Sequence, residues 1–271
     1  MTGTEPSAHR IDTSRPHPAR VYDWLLGGKD NYPVDEELGR RMLALEPHAR
    51  HSALNNRWFM HRATRWLTHE AGIRQFLDIG AGIPTEPNLH QIAQTAAPDA
   101  RIVYVDNDPI VLAHAAALLH GTPEGVTEYV QADVRETRKI LDQAGAILDF
   151  DRPIALSLVA LLHFIADEDG AYDLVGSLVE ALPAGSFLAL SMITADYDPQ
   201  NMERAVQSYA AKGVTLVARS HAEVTRFFTG LEVVEPGIVP LPEWHPELAE
   251  GERLEGDAPV PLYAGVGFKT S

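Results

Sequence analysis

Gln75-Phe76-Leu77-Asp78-Ile79-Gly80-Ala81-Gly82-Ile83-Pro84, followed by Arg101-Ile102-Val103-Tyr104-Val105-Asp106-Asn107-Asp108-Pro109, decides how this chain is read. Each segment is a short apolar run ending in an acidic residue, and the first breaks at once into closely spaced glycines. Such a pair suits a parallel sheet whose strand ends hold a nucleoside. Glycines at 80 and 82 let the backbone approach a ligand where a Cβ would stand, and permit turn dihedrals that other residues avoid. Asp106, with Asn107 beside it, lies about two dozen residues beyond the glycines, where a carboxylate accepts hydrogen bonds from ribose hydroxyls.

The glycine pattern separates two kinds of nucleoside site. A dinucleotide loop, G-x-G-x-x-G, needs a small third residue at position 85, and Thr85 stands there. The loop reads instead Asp78-x-Gly80-x-Gly82-x-Pro84. It resembles the D/E-x-G-x-G-x-G loop of class I S-adenosylmethionine methyltransferases, with Pro84 in place of the last glycine. A pyrophosphate held at a helix N-terminus would be repelled by Asp78, whereas a ligand carrying a sulfonium and an ammonium tolerates it. The structural alternative, an ordinary strand–turn–helix junction, explains the glycines but not Asp78 and Asp106 together.

With 271 residues, 45% of them hydrophobic, the chain can bury one large core. Its formal net charge of −16 disfavours nucleic acid and anionic membrane as partners. Arg57, Arg62 and Arg65 share one segment at helical spacing and are expected on the solvated face of a helix whose other side carries Trp58, Ala63 and Trp66. The absence of cysteine excludes disulfides, thiolate catalysis and Cys-ligated zinc. Residues 1–10 lack an apolar run of the secretory kind. The apolar stretch 154–166 is too short to span a bilayer. A soluble, cytoplasmic protein is expected.

Residues 1–18, rich in Ser, Thr, Pro and His, are expected as an extended arm and residues 19–71 as a helical cap. The cap holds a short helix around Val21, Trp24 and Leu25, a second through Leu38, Met42 and Leu45, and a third over 54–71. Residues 72–271 then alternate as an α/β core. Strands are expected at 76–79, 101–105, 126–131, 154–159 and 186–192, and the all-apolar fourth suits a central parallel strand. Helices are expected at 88–97, 109–119, 171–181 and 222–228, and a polar loop with a helix over 194–212. The last strands, 231–234 and 263–268, have no helix between them, so an antiparallel pairing at the end of the sheet is expected. The fold class is therefore a doubly wound, Rossmann-like α/β sheet, mostly parallel, with a helical N-terminal cap.

Other candidates follow from the class I resemblance. There, an acidic residue ending the third strand accepts from the adenine amine and the next backbone N–H reaches a ring nitrogen, which implies Asp133 and Val134. A histidine after the fourth strand often faces donor or acceptor, which implies His163, with a side chain suited to general-base work. The alternatives are a loop or N-cap aspartate and a core histidine. The polar segment from Gly27 to Tyr32 is weighed equally as a plain inter-helix loop and as a flap over the donor, with Tyr22 or Tyr32 lining the sulfonium pocket through cation–π attraction. Tyr32 is also a candidate base. Asn56 and Arg57 are weighed as contacts of the methionine carboxylate against a plain solvated helix start. No metal is expected, because Asp106 and Asp108 at a strand end, even with Asp133, are not expected to converge as the several oxygen ligands that a hard cation needs.

Residues 14–31, 75–84, 103–113 and 227–237 together resemble a bacterial S-adenosyl methyltransferase family long known only as a domain of unknown function. The resemblance runs from about residue 11 to 268 and implies the class I fold and S-adenosylmethionine as methyl donor. It implies no acceptor; a small molecule is expected, with the oligomeric state open. Where a polar residue is expected after the fifth strand's serine, this chain has Ser191-Met192. An NAD-dependent oxidoreductase and a non-catalytic donor-binding sensor are the rival readings.

Overall fold

A computed structural model describes residues 12–111, 113, 120–252 and 259–271. Three helices precede the sheet: α1 (Pro18–Leu25), α2 (Pro33–Leu45) and α3 (Ala49–His69). The first two open on proline, whose fixed φ suits the first helical turn and whose missing N–H loses nothing there. His17 caps α1, its Nδ1 accepting from the Ala19 amide at 3.3 Å. Asp35 closes the start of α2 by accepting from the Tyr32 amide at 2.9 Å.

The core alternates as its apolar runs require. It comprises β1 (Gln75–Ile79), α4 (Leu89–Ala96), β2 (Arg101–Asp106), β3 (Val126–Gln131), α5 (Thr137–Ala144), β4 (Ala155–Val159), α6 (Ala171–Ala181), β5 (Phe187–Ile193), α7 (Pro199–Ala210) and α8 (His221–Arg226). Short strands β6 (Glu232–Val233) and β7 (Val239–Pro240) and the longer β8 (Leu262–Phe268) complete it. The sheet order is β3-β2-β1-β4-β5-β8-β6, with β7 also on β8. β1 to β5 pair in parallel, and β8 runs antiparallel to its neighbours. The chain leaves β1 outward through β2 and β3, then returns to the other side of β1 as β4. That reversal opens a crevice beyond the carboxyl ends of β1 and β4, where α/β sheets take ligands.

Side chains alternate across the sheet with period two. Leu77, Ile79, Val103, Val105, Leu156 and Leu158 join the core under α5 and α6. Phe76, Ile102, Tyr104 and Ala155 join the opposite core, which holds Phe59, Ala63 and Leu67 of α3 and Ala93 of α4. A third cluster ties the cap to α7 through Val21, Leu25, Leu38 and Ala53 against Ala205, Tyr209 and Leu216.

Two expectations hold and one needs correction. The antiparallel pairing expected at the end of the sheet is that of β8 with β6, and the seven residues of β8 pair fully with β5 on the other side. Arg57, Arg62 and Arg65 are not a solvated face. Arg62 is 3% exposed and donates to the carbonyls of Trp244 and Leu241, both at 2.8 Å. Arg65 pairs with Glu252 at 2.9 Å, and Arg57 donates to the carbonyls of Thr85 and Pro87. The polar loop and helix expected over 194–212 are present, the helix being α7, started by Pro199 and by Asp198, which accepts from the Asn201 amide at 3.0 Å. Helix α5 and strand β7 were not anticipated. Residues 1–11 of the arm, and most of the helix expected at 109–119, lie outside the described residues.

Candidate active site

The crevice is the mouth of a cavity of about 1070 Å³, bounded by the carboxyl ends of β1 to β5, by α1 and α3, and by the region around α7. That volume stands at the upper end of small-molecule sites, roughly 300–1,000 Å³. Asp78, Gly80, Ala81, Gly82, Asp106, Asn107, Asp133, Val134, Tyr22 and His163 all line it. Pro84 and Tyr32 do not. Pro84 lies past the turn, and Tyr32 packs with Ile83, Ile110 and Val111 outside the cavity under the guanidinium of Arg20.

The glycine turn is built as its residues require. Gly80 and Gly82 have φ of +79° and +66°, in the left-handed region that only glycine adopts without strain. A Cβ on Gly80 would stand 2.8 Å from Leu161, so the turn after β1 lies directly on the segment after β4. A Cβ on Gly82 would meet nothing within 4 Å and would occupy space open to a ligand. The turn is held by Asp106, whose Oδ2 accepts from the Gly82 amide at 2.8 Å and whose Oδ1 accepts from the Asp108 amide at 3.0 Å.

Burial governs the acids. It lifts the Asp78 pKa to about 6; the Ser157 hydroxyl and Arg57 oppose this, and neighbouring Asp106 adds to it. Asp106 is also raised by burial, against the pull of the Asp108 amide and His17. Asp133 behaves differently. Burial pushes it up, but the Arg135 amide at 2.9 Å, the Asn107 amide group at 3.0 Å and the Arg135 guanidinium bring it below its ordinary value.

His163 follows β4 in a short 3-10 turn and is 6% exposed. Burial, helped by the cation of Arg219, carries its pKa down to about 3. An imidazole so depressed is neutral at ordinary pH and binds protons poorly, which speaks against its expected general-base work. The segment from Gly27 to Tyr32 folds back onto α1: the Asp30 amide and Asn31 side chain donate to Asp23 at 3.0 and 2.8 Å. Asp108 turns from Asp106 toward Arg20 at 3.0 Å.

Two arrangements escaped the sequence. Buried Ser191 donates to Asn56 Oδ1 and accepts from the Ala160 amide at 3.0 Å. Asn56 then donates to the Tyr22 hydroxyl at 3.0 Å, and Tyr22 donates to the Ala53 carbonyl at 2.9 Å. This chain of bonds joins β5, α3 and α1 across the cavity, and no local signal announces it because its members lie far apart in sequence. His17 reaches Asn107 at 3.1 Å and Asp108 at 3.2 Å, linking the start of α1 to the loop after β2. Its place before a helix-opening proline is the one trace in the sequence.

The S-adenosyl methyltransferase family model matches residues 4–270. The chain belongs to that family. A DUF574 family protein from Streptomyces avermitilis is 50% identical, with 96% of this chain and 100% of that one covered at a TM-score of 0.90. A candidate methyltransferase from Thermobifida fusca is 38% identical over 96% of this chain and 97% of that one, TM-score 0.87. Human N-acetylserotonin methyltransferase, solved with S-adenosylmethionine, is 12% identical and shares the fold alone, with 95% of this chain and 63% of that one covered at a TM-score of 0.50. Among curated proteins none matches the sequence. This S-adenosyl methyltransferase thus has the α/β methyltransferase fold, with S-adenosylmethionine as its methyl donor. Among the described residues no helix is long and apolar enough to cross a membrane.

Proposed function

We propose that the cavity binds S-adenosylmethionine across the glycine turn and passes its methyl group to a small-molecule acceptor held between α3 and α7. One observation carries this reading: Asp78, the Gly80–Gly82 turn, Asp106 and Asp133 open on a single cavity at the point where the strand order reverses. Bound there, the donor supplies a methyl carbon on a sulfonium, a leaving group that needs no protonation.

The protein's share is position and exclusion of water. Asp106 is fixed by two backbone amides, so its outward lone pairs are set to receive the ribose hydroxyls. Asp133 and the Val134 amide flank the adenine end. The buried carboxylate of Asp78 suits the donor's ammonium, which would restore its ionised form. Gly80, Ala81 and Gly82 carry the methionine part, with Tyr22 on the far wall. Tyr32 takes no part, and Pro84 acts only by ending the turn.

Calorimetry with S-adenosylhomocysteine tests the reading. Asp106→Ala removes hydrogen bonds to a charged group, each of about 1.5–3 kcal/mol, so affinity should fall by at least about tenfold. Unchanged affinity in the variant would remove the ribose assignment. Protection of the wild type by NAD but not by S-adenosylhomocysteine would return the chain to the oxidoreductases.

A further inference from the structure

Beyond the donor loops the cavity continues along α3. Its lining there runs from Asn56 back to His48, eight residues at 1.5 Å each, or about 12 Å of helix. Opposite lie Phe164, Tyr209 and Leu216. Charged groups in the lining belong to the donor loops, to Arg57 of α3, which donates to the carbonyls of Thr85 and Pro87, to Glu46 at the end of α2, or, like Asp198 and Arg204, to exposed positions around α7. The wall of Phe164, Tyr209 and Leu216 thus brings neither a carboxylate for an amine nor a cation for an acid, and Glu46 already accepts from the His48 amide at 3.1 Å. This apolar wall extends the reading of the donor end on which the inference rests.

His163 is the polar group where the two halves meet. It packs on Phe164 with ring centroids 4.3 Å apart, and Phe164 in turn lies near Tyr209. Its Nδ1 is buried without a partner, while the ring lines the cavity. A buried N–H left unpaired is rarer than a buried unpaired acceptor, so the proton of the neutral ring belongs on Nε2, the nitrogen left open to the cavity. The turn carrying His163 is clamped. Arg219 donates to the carbonyls of Leu162 at 3.0 Å and Ile165 at 2.8 Å, and the Val217 amide donates to the His163 carbonyl at 2.7 Å.

We propose that His163 acts as a fixed hydrogen-bond donor rather than a base, and that the acceptor is a ring-sized apolar molecule whose acidic hydroxyl, phenolic or enolic, enters already ionised. The hydroxyl proton is lost to solvent before binding. The oxyanion, held by the Nε2–H, uses a lone pair to form the O–CH3 bond while the C–S electron pair departs with sulfur. An ether and a neutral thioether result, and no side chain gains or loses a proton.

The test is binding of 4-nitrophenol, nitrobenzene and 4-nitroaniline to the S-adenosylhomocysteine complex, at a pH where the phenol is ionised. The phenolate should bind at least about tenfold tighter than nitrobenzene, the increment of a hydrogen bond to a charged group. His163→Gln keeps an N–H donor but no basic nitrogen, and should stay within about threefold of wild type. His163→Phe should bind the phenolate no better than nitrobenzene. Equal wild-type binding of phenolate and nitrobenzene overturns the proposal, as does a Gln variant as weak as the Phe variant. Preference for 4-nitroaniline overturns the acceptor class. Should the Phe variant fail to fold, seen as lost S-adenosylhomocysteine affinity, the wild-type ratio and the Gln variant still decide. Failure of the wild type to bind S-adenosylhomocysteine strikes the donor reading itself.

Discussion

Asp78 and His163 face one cavity, and burial drives their proton affinities in opposite directions. The Asp78 carboxyl titrates near 6 when folded against 3.8 ordinarily, so between those values the folded chain holds a proton that the unfolded chain has released. Its contribution to stability therefore falls as pH rises from 3.8 to about 6. His163 is depressed from 6.5 to about 3, so the unfolded chain takes up the proton first and stability is lost as pH falls through that range. Urea unfolding at stepped pH should separate the two. Relative to wild type, Asp78→Asn should grow more stable with rising pH up to about 6, and His163→Gln should resist acid down to about 3. A donor ammonium pairs only with the ionised form of Asp78. S-adenosylmethionine affinity should therefore rise through pH about 6 in wild type and stay flat in Asp78→Asn. At this scale the gathering of Asp78, the glycine turn, Asp106 and Asp133 on one cavity was legible, because a glycine turn between strand-end acids is a local pattern. Tyr32 was misjudged for the same reason: nothing local reveals that its segment folds back on Asp23 instead of outward.

Helix α3 shows what an element's own pattern leaves out. Its arginines stand at helical spacing, and spacing alone gives a polar face. What covers Arg62 and Arg65 comes from residues 241–252, nearly two hundred positions later, while Arg57 turns to the carbonyls of Thr85 and Pro87, so burial of Arg62 could not be read from the helix. Arg62→Met would leave the Trp244 and Leu241 carbonyls without the donors Arg62 supplies and Glu252 without one partner. A loss of roughly 3–5 kcal/mol in urea unfolding is expected, as for a broken buried pair. A loss near zero would mean that the 241–252 segment is not held by this side chain. The same helix carries Asn56 into its bond with Ser191. Ser191→Ala strips an acceptor from the Ala160 amide and a donor from buried Asn56, a loss of about 1–3 kcal/mol. Combined with Asn56→Leu it should cost less than the sum of the two, because the singles share one bond. That network also explains Ser191-Met192: the serine serves the frame of the cavity, and Met192 lies wholly in the core.

At the scale of the molecule, the doubly wound, mostly parallel sheet was legible in the alternation of strands and helices, though the order of its strands was not. The antiparallel pairing of β8 with β6 at the end of the sheet was legible because no helix separates the two runs; that β8 lies inside β6, along the whole of β5, was not. Cap and core are more tightly joined than their sequence boundary suggests. α3 sends Phe59, Ala63 and Leu67 into the sheet core and Ala53 into the cluster shared with α1 and α7. All four tryptophans report on this region: Trp24 sits on α1, Trp58 and Trp66 on α3, and Trp244 packs edge-on against Phe59. Thermal unfolding followed by tryptophan fluorescence and by far-ultraviolet dichroism should therefore give coincident curves, the mark of one cooperative unit. Because the cavity is walled by cap and core alike, S-adenosylhomocysteine at about 100 times its Kd should stabilise both signals together by about 2.7 kcal/mol. For a chain of this length that is a shift of roughly 5 °C or more. Two separated transitions, with only the dichroism moved by ligand, would make the cap an independent lid; coincident curves moving as one tie the helices before residue 72 to the donor site itself.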